Sequence, residues 1–194
     1  MAGLYTDTIS NEAGTTTYLS SGTLSNLTFP ADHIIQIQQT VKQSRFVGAG
    51  NTDEQLVTDY NCSITPAKAG SKILVQYSFD TSAGATVTAR TYMERDIGGA
   101  GYSKLAGIHG ADPGGSLGDP SLSHGGTYVN WMMYKHAGIY LDSPTYTLTN
   151  AITYRIGVHC ENASYPIHVG STQRDDTAYH PRTASILMLM EVSQ

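Results

Sequence analysis

The stretch Ser71-Lys-Ile-Leu-Val-Gln-Tyr-Ser-Phe-Asp80 decides the fold class of this chain. The apolar residues at every second position are Ile73, Val75, Tyr77 and Phe79. Because successive side chains of a strand point to opposite faces, this spacing produces one apolar face and one mostly polar face. Turn-forming residues bound the stretch, with Pro66 and Gly70 before it and Gly84 after it. The pattern predicts a core strand over residues 72–80.

Strand signals recur along the rest of the chain. They cover residues 33–41, 56–64, 85–95, 127–136, 137–142, 145–149, 152–160 and 183–192. The first of these segments places Ile35, Ile37 and Val41 on one face. Turn-forming residues separate the segments, and none of them has the period of an amphipathic helix. The sequence therefore predicts an all-β fold of about eight to ten strands, an antiparallel β-sandwich or jelly roll.

Two of these segments are apolar on both faces. In residues 127–136, Trp131 and Met133 share one face, and Met132 and Tyr134 share the other. In the closing segment, one face carries Ile186, Met188, Met190 and Val192, and the other carries Leu187 and Leu189. A strand of this kind is either central to a sandwich or packed against sister subunits. The residues expected at an oligomer interface are Trp131, Met133, Leu187 and Leu189.

The chain divides into an arm and a domain. Residues 1–30 are rich in Thr, Ser and Gly and bury little apolar area by themselves. We expect this N-terminal anchoring arm to be held by another copy or a docking partner, or else to fold back on its own domain. Residues 31–194 are expected to form the sandwich, with long loops at 96–126 and 161–182.

The overall composition excludes several classes of function. Only 14% of the 194 residues are charged, compared with about 25% in typical soluble domains. The net charge is −5 and there is no basic stripe, which argues against binding nucleic acid or an acidic membrane. No apolar run approaches the length of a membrane span, and the N-terminus lacks a secretory signal pattern. A surface rich in hydroxyls and amides, made without export, fits a virion component released by lysis.

The two long loops are the expected recognition surface. Glycines cluster in residues 96–126, and a loop of this length inside a compact domain is usually functional. A recognition loop on a rigid β scaffold is one reading, and a variable surface loop without a ligand is the other. The candidate receptor- or partner-binding residues are Tyr102, His109, Asp112, His124, Tyr165, His168, Arg174 and Tyr179.

Motifs for catalysis and metal binding are missing from the sequence. The HExxH, P-loop, GxGxxG and EF-hand patterns do not occur, and the seven histidines form no HxH or HxxxH pair. We therefore expect no catalytic residues, no metal and no cofactor. Carboxylates in the loops leave glycoside hydrolysis open, although their spacing does not indicate it. Cys62 and Cys160 are expected to be buried free thiols or a cross-strand disulfide.

Three segments carry a resemblance to a known group of proteins. They are residues 22–37, which contain Thr28-Phe-Pro-Ala-Asp-His-Ile-Ile-Gln-Ile37, residues 63–75 and residues 185–192. These segments are similar to those of small structural proteins of tailed bacteriophages, especially marine ones, described as tail-fibre or virion fibre and knob proteins. Asp32 stands where that group usually has Gly. The resemblance covers roughly residues 22–95 and 183–192 and is weak over 96–182.

The resemblance implies a fold, a setting and partners. The implied fold is a C1q/TNF-like jelly roll that assembles as a homotrimer. The implied function is that of a non-enzymatic virion fibre or knob, anchored to other virion proteins by its arm and attached to host-surface glycan or protein through its loops. The alternatives are a purely architectural head-decoration or tail-assembly protein, and a carbohydrate-active tailspike.

Overall fold

A computed structural model of the chain is all-β, as the sequence predicts. It describes residues 8–10, 16–20, 23–24, 31–49, 54–84, 89–105, 107–108, 123–125, 132–160, 162, 164–175 and 181–194. Within these ranges every regular element is a strand, so none of the described residues belongs to a helix that could span a membrane. The strands are β1 Thr8–Ser10, β2 Thr16–Ser20, β3 Thr23–Leu24, β4 Ile34–Lys42, β5 Phe46–Val47, β6 Gln55–Ile64, β7 Lys72–Ser82, β8 Ala89–Ile97, β9 Ser103–Lys104, β10 Ser123–Gly125, β11 Tyr134–Asp142, β12 Ile152–Cys160, β13 His168–Val169 and β14 Ser185–Val192.

Two antiparallel sheets pack face to face as a sandwich. The six-stranded sheet has the order β4-β14-β7-β13-β5, and β11 also pairs with β7, on the edge opposite to β14 and β13, since Thr81 pairs with both Tyr134 and Val169. The five-stranded sheet has the order β10-β8-β12-β6, and β9 also pairs with β8. The closing strand β14 lies between β4 and β7, which confirms a central position for this two-faced segment. A separate three-stranded sheet joins β1, β2 and β3 within the predicted arm.

The core lies between the two larger sheets and follows the predicted alternation. In β7, the residues Ile73, Val75 and Phe79 have no exposed surface, and Tyr77 has 7%. The five-stranded sheet contributes the residues that alternate in β12, namely Ile152, Tyr154, Ile156, Val158 and Cys160. Tyr60 of β6 packs edge-on against Phe79 and donates a 2.7 Å hydrogen bond to the carbonyl of Ile186. Strand alternation therefore produces the inner faces of both sheets.

The segment after β11 departs from the sequence prediction. Residues 145–149 were expected to form a strand, but they form an irregular turn. The backbone N–H of Thr147 donates to Asn150 Oδ1 at 2.9 Å, and Tyr146 donates its hydroxyl to the carbonyl of Lys68 at 2.8 Å. These side-chain hydrogen bonds take the place of the backbone hydrogen bonds that would pair a strand with its neighbour. The expected strands at 127–136 and 137–142 are one strand in the described residues, β11, which begins at Tyr134; residues 126–131 lie outside the description.

The predicted long loops contain short strands. The segment 96–126 includes the end of β8, β9 and β10, while 106 and 109–122 lie outside the described residues. The segment 161–182 includes β13, which is inserted between β5 and β7. Cys62 and Cys160 are both buried free thiols, which decides between the two alternatives that the sequence left open.

Candidate functional site

An apolar surface covers the side of the six-stranded sheet that faces away from the core. Across β4, β14, β7 and β11, paired residues place their side chains on the same face of the sheet. One row across the four strands runs Ile37, Met190, Leu74 and Leu141. The next row runs Gln39, Met188, Gln76 and Ile139, and the row after it runs Val41, Ile186, Ser78 and Ala137. We call this surface the outer apolar face, defined by Ile37, Val41, Leu74, Ala137, Ile139, Leu141, Ile186, Met188 and Met190.

Much of the outer apolar face is accessible in the single chain. Ile139 is 64% exposed, Ile37 55%, Val41 48% and Leu141 43%. Single exposed apolar residues are ordinary, but a contiguous set on four neighbouring strands is typical of an interaction surface. The alternation of these strands explains the arrangement, because their second face carries Ile, Leu, Val and Met instead of charged residues. This surface is the best candidate for a protein contact in the described structure.

The predicted oligomer interface is corrected in part. Leu187 and Leu189 have no exposed surface, because they lie on the inner face of β14 and belong to the core of the chain itself. The outward residues of the same strand are Ile186 and Met188. Met133 is half-buried just before β11, and Trp131 lies outside the described residues. The sequence correctly predicts that both faces of β14 are apolar. It assigns Leu187 and Leu189 to the interface, however, and these two residues lie on the face that is buried in the core.

The first strand also presents an apolar face to solvent. Ile37 and Val41 share the outer face, as expected, whereas Ile35 is half-buried at a register irregularity of the β4–β14 pair. The inner side of β4 is polar: Gln36 donates to Glu191 Oε2 at 2.6 Å and to the carbonyl of Thr65 at 2.7 Å. Glu191 also accepts the backbone N–H groups of Ala67 and Lys68. Burial acts to raise the Glu191 pKa, but the backbone bond from Ala67 and the other donors lower it overall.

The predicted recognition residues do not form one site. Tyr102 is 36% exposed, and the Arg155 guanidinium stacks 3.3 Å from its ring centroid while bonding Glu94. Tyr165 is half-buried and packs over Gly84, where a Cβ would lie 2.0 Å from its ring. Arg174 is exposed. Three of the candidates, His109, Asp112 and Tyr179, lie outside the described residues, and His124 is described only as part of β10.

His168 is a clear correction to the recognition set. It was expected on an open loop, but it is only 5% exposed because β13 is inserted into the six-stranded sheet. Burial lowers its pKa, and the Arg45 charge acts in the same direction while Asp175 opposes it. A two-residue strand has too few positions to produce an alternation, so the sequence contains no signal for this burial.

A basic group that the sequence analysis missed lies beside His168. Asp175 accepts a 2.7 Å bond from Arg45 Nη1 and a 2.9 Å bond from Arg182 Nε. The Asp175 pKa is lowered, first by its hydrogen bond to Arg182 and also by that to Arg45. Nearby, Lys42 is buried and donates to Ser44 Oγ at 2.9 Å. The available signal was the presence of Lys42 and Arg45 around one turn and of Arg174 and Arg182 around another.

Two further polar groups inside the sandwich have structural roles. Arg95 Nη1 bonds both oxygens of Asp142, at 2.7 and 2.5 Å, and Tyr154 donates its hydroxyl to the same carboxylate at 2.6 Å. His136 packs 5.1 Å from the Phe79 ring and lies 2.6 Å from Thr81 Oγ1. Burial lowers the His136 pKa to about 4, so the imidazole is neutral at pH 7. Among the described residues, no group of three or more His, Cys, Asp or Glu side chains is placed to hold a metal ion.

Comparison with known proteins adds no relative to this description. No family model matches the chain, and no curated protein matches it significantly. Function is therefore inferred from the surfaces of the sandwich and from the resemblance of its short segments.

Proposed function

We propose that this chain is a non-enzymatic structural protein of a tailed-phage virion, a fibre or knob that assembles through its outer apolar face. The observation that carries the proposal is the set of exposed aliphatic side chains on β4, β14, β7 and β11. A stable oligomer interface needs a desolvated apolar centre with a polar rim. The Lys135–Asp80 ion pair at 3.2 Å lies at one end of these strands and supplies part of such a rim.

The proposed occupant of the outer apolar face is a second copy of the same chain. The exposed side chains of the face are mostly aliphatic, and such a surface suits contact with the apolar surface of another protein chain. Three copies arranged around an axis would each bury part of this face, and this trimer is the assembly that the segment resemblance implies. A C1q/TNF-like jelly-roll topology belongs to the same proposal.

In the proposed assembly, each part of the chain has a separate task. The arm, residues 1–30, attaches the trimer to other virion proteins. The sandwich forms the body, and the segments 96–126 and 161–182 face outward, where they contact host-surface glycan or protein. The described carboxylates Asp142, Glu94 and Asp175 each bond an arginine, which is a structural use of these groups.

Cryo-electron microscopy of intact particles tests the proposal. The sandwich would be fitted into density after subtraction of the major capsid and tail proteins. The proposal predicts copies that project from tail or vertices, with three sandwiches in contact through β4 and β11. Copies that lie flat on the shell or between tail proteins would favour the architectural alternative and would contradict the attachment function. Depolymerisation of a host polysaccharide by the purified chain would instead support the tailspike alternative.

A further inference from the structure

Positive charge is concentrated at one corner of the sandwich. The corner lies where the end of β4 and the turn into β5 meet residues 170–175 and 181–183. Ser171 and Arg182 form an isolated β-bridge, and a Cβ on Gly170 would lie 3.0 Å from the Thr183 carbonyl and 3.9 Å from that of Ser44. We call this the basic corner and define it by Lys42, Arg45, Arg174 and Arg182. It contains four of the 11 Lys and Arg residues of a chain whose net charge is −5.

Asp175 holds two of these arginines in fixed positions. Its carboxylate bonds Arg45 on one oxygen and Arg182 on the other, and its own side chain is only 3% exposed. The Arg45 and Arg182 side chains are 49% and 66% exposed. A guanidinium has five N–H donors, so each arginine retains donors that face solvent after its bond to Asp175. Such planar forks match carboxylate and phosphate oxygens.

Buried polar groups behind the arginines have no hydrogen-bond partner in the described structure. They are both ring nitrogens of His168, Ser171 Oγ and Thr183 Oγ1. His168 is 5% exposed and Ser171 is fully buried. Buried polar atoms are nearly always hydrogen-bonded, because an unsatisfied donor or acceptor is costly. Three such side chains lie within sixteen residues of one segment.

We propose that the basic corner binds the oxyanion of an acidic surface saccharide, a sugar carboxylate or a sugar phosphate. Arg45 and Arg182 would bond the oxyanion through the guanidinium N–H groups that their bonds to Asp175 leave available. A chain with a net negative charge repels an anionic glycan over most of its surface, so local positive charge is needed to concentrate the ligand. This inference rests on the proposed attachment function, and it names the chemical class that the attachment recognises.

A purely structural role for the same residues makes a different prediction. If Asp175 only holds Arg182 and Arg45 together, the two arginines stabilise the fold but bind no ligand. The two roles are separated by a binding measurement on variants that remain folded. Arg182 is well exposed, so Arg182→Gln should leave the thermal midpoint within a few degrees of that of the wild-type chain.

The experiment is a titration of the ¹⁵N-labelled full chain followed by NMR. The probes are glucuronate, glucose 6-phosphate and, as the neutral control, glucose. We expect glucuronate or glucose 6-phosphate to shift the amide signals of Gly170, Ser171 and Arg182 in a saturable manner, with glucose producing no such shift. The tighter of the two acidic sugars identifies the oxyanion. Binding should weaken with added salt because charge contributes to it.

Variants complete the test. Arg182→Gln and Arg45→Gln should each weaken binding at least fivefold, whereas Lys104→Gln, which removes a cation paired with Glu54 elsewhere, should leave binding unchanged. Saturable shifts that are lost in the two arginine variants support the proposal. Absence of shifts with both acidic sugars, or equal binding by Arg182→Gln, would overturn it. The assembly proposal is tested by the mass of the protein and by its location in the particle, and neither measurement involves sugar binding. A failure of the assembly proposal can therefore be distinguished from a failure of the saccharide site.

Discussion

Ile37 of β4 and Met190 of β14 are register partners on the outer face of the six-stranded sheet, yet Ile37 is 55% exposed and Met190 only 8%. Met190 lies between neighbours on both sides, whereas Ile37 lies on the edge strand. The exposed aliphatic surface thus extends outward from a well-packed centre. This arrangement suits an interface between copies of the chain. The side chains at the centre of the face are already packed, and those at its edge still have apolar surface that a second copy can cover.

A charged residue on the exposed margin of the outer apolar face should prevent assembly. Ile139 is 64% exposed in the single chain, so Ile139→Lys should change the free energy of unfolding of one chain by less than about 0.5 kcal/mol. In the proposed oligomer the same ammonium would be buried without a partner, a costly arrangement. We therefore expect Ile139→Lys to shift the protein to a monomer in size-exclusion chromatography with light scattering.

The matched control is Leu148→Lys. Leu148 is 48% exposed but lies in the turn after β11 and not on the outer apolar face. This variant should keep the mass of the wild-type protein. Equal masses for wild type and Ile139→Lys, with both proteins folded by circular dichroism, would show that the face is not an interface.

Removing the Asp142 carboxylate should destabilise the chain strongly. Asp142 is 4% exposed and binds both Arg95 and the Tyr154 hydroxyl, so Asp142→Ala leaves a partly buried guanidinium without its partner. Breaking a buried ion pair in this way typically costs about 3–5 kcal/mol. Chemical denaturation of this variant should show that loss, while Glu54→Gln, which breaks the more exposed pair with Lys104, should change stability by no more than about 1 kcal/mol. Similar losses in the two variants would refute a structural role for the Asp142 network.

Acid should weaken the fold through His136. Its pKa is about 4 in the folded chain and about 6.5 when unfolded, so the unfolded state takes up a proton first as the pH falls. The stabilising contribution is complete above pH 6.5 and decreases from there towards pH 4, by up to about 3 kcal/mol. Asp80 acts in the opposite direction and Lys135 in the same direction as burial, and His168 titrates in the same sense.

The test of this pH dependence compares two variants between pH 6.5 and 5, where carboxylates remain largely ionised. His136→Gln should show a shallower decrease in unfolding free energy than the wild type. Gln43→Ala, which changes an exposed residue without a titratable group, should keep the wild-type slope. An unchanged slope in His136→Gln would mean that the imidazole is already solvated in the native protein.

Gly170 should tolerate a side chain less well than Gly99. Both have a positive φ, 76° and 81°, so an alanine at either position adopts a left-handed conformation at a cost of about 1 kcal/mol. A Cβ at Gly170 would also lie 3.0 Å from the Thr183 carbonyl, while nothing lies within 4 Å at Gly99. We expect Gly170→Ala to lose at least about 1 kcal/mol more than Gly99→Ala in denaturant titrations. Equal losses would argue against the close approach of the two chain segments at the basic corner.

The sequence predicts the fold well where a strand has one polar and one apolar face. The alternation in β7 identifies its inner residues correctly, because only one of its two faces can be buried without cost. In β14 both faces are apolar, so the choice between Leu187 and Ile186 as the inner residue depends on the strands that flank it. For β4 the rule works in reverse: its aliphatic side faces solvent, and Gln36 binds Glu191 inside.

Local sequence also fails where long-range contacts decide. The burial of His168 depends on β5 and β7, which are far away in the chain, and a two-residue strand has no period to detect. Asp32 shows the opposite case. Its φ of 65° lies in the left-handed region that Gly favours, so this turn forms without a glycine. A candidate site such as the basic corner, whose residues come from distant segments of the chain, can be recognised only in the structure.

Sedimentation equilibrium of the purified wild-type chain, repeated over a hundredfold dilution, tests the central claim most directly. The claim is that copies of this chain cover one another's outer apolar face. It predicts a mass of three times the 20.8 kDa of one chain, which persists at the lowest concentration where the signal can be measured. A mass of 20.8 kDa at every concentration would contradict it, and the outer apolar face would then be a surface without a partner of its own kind.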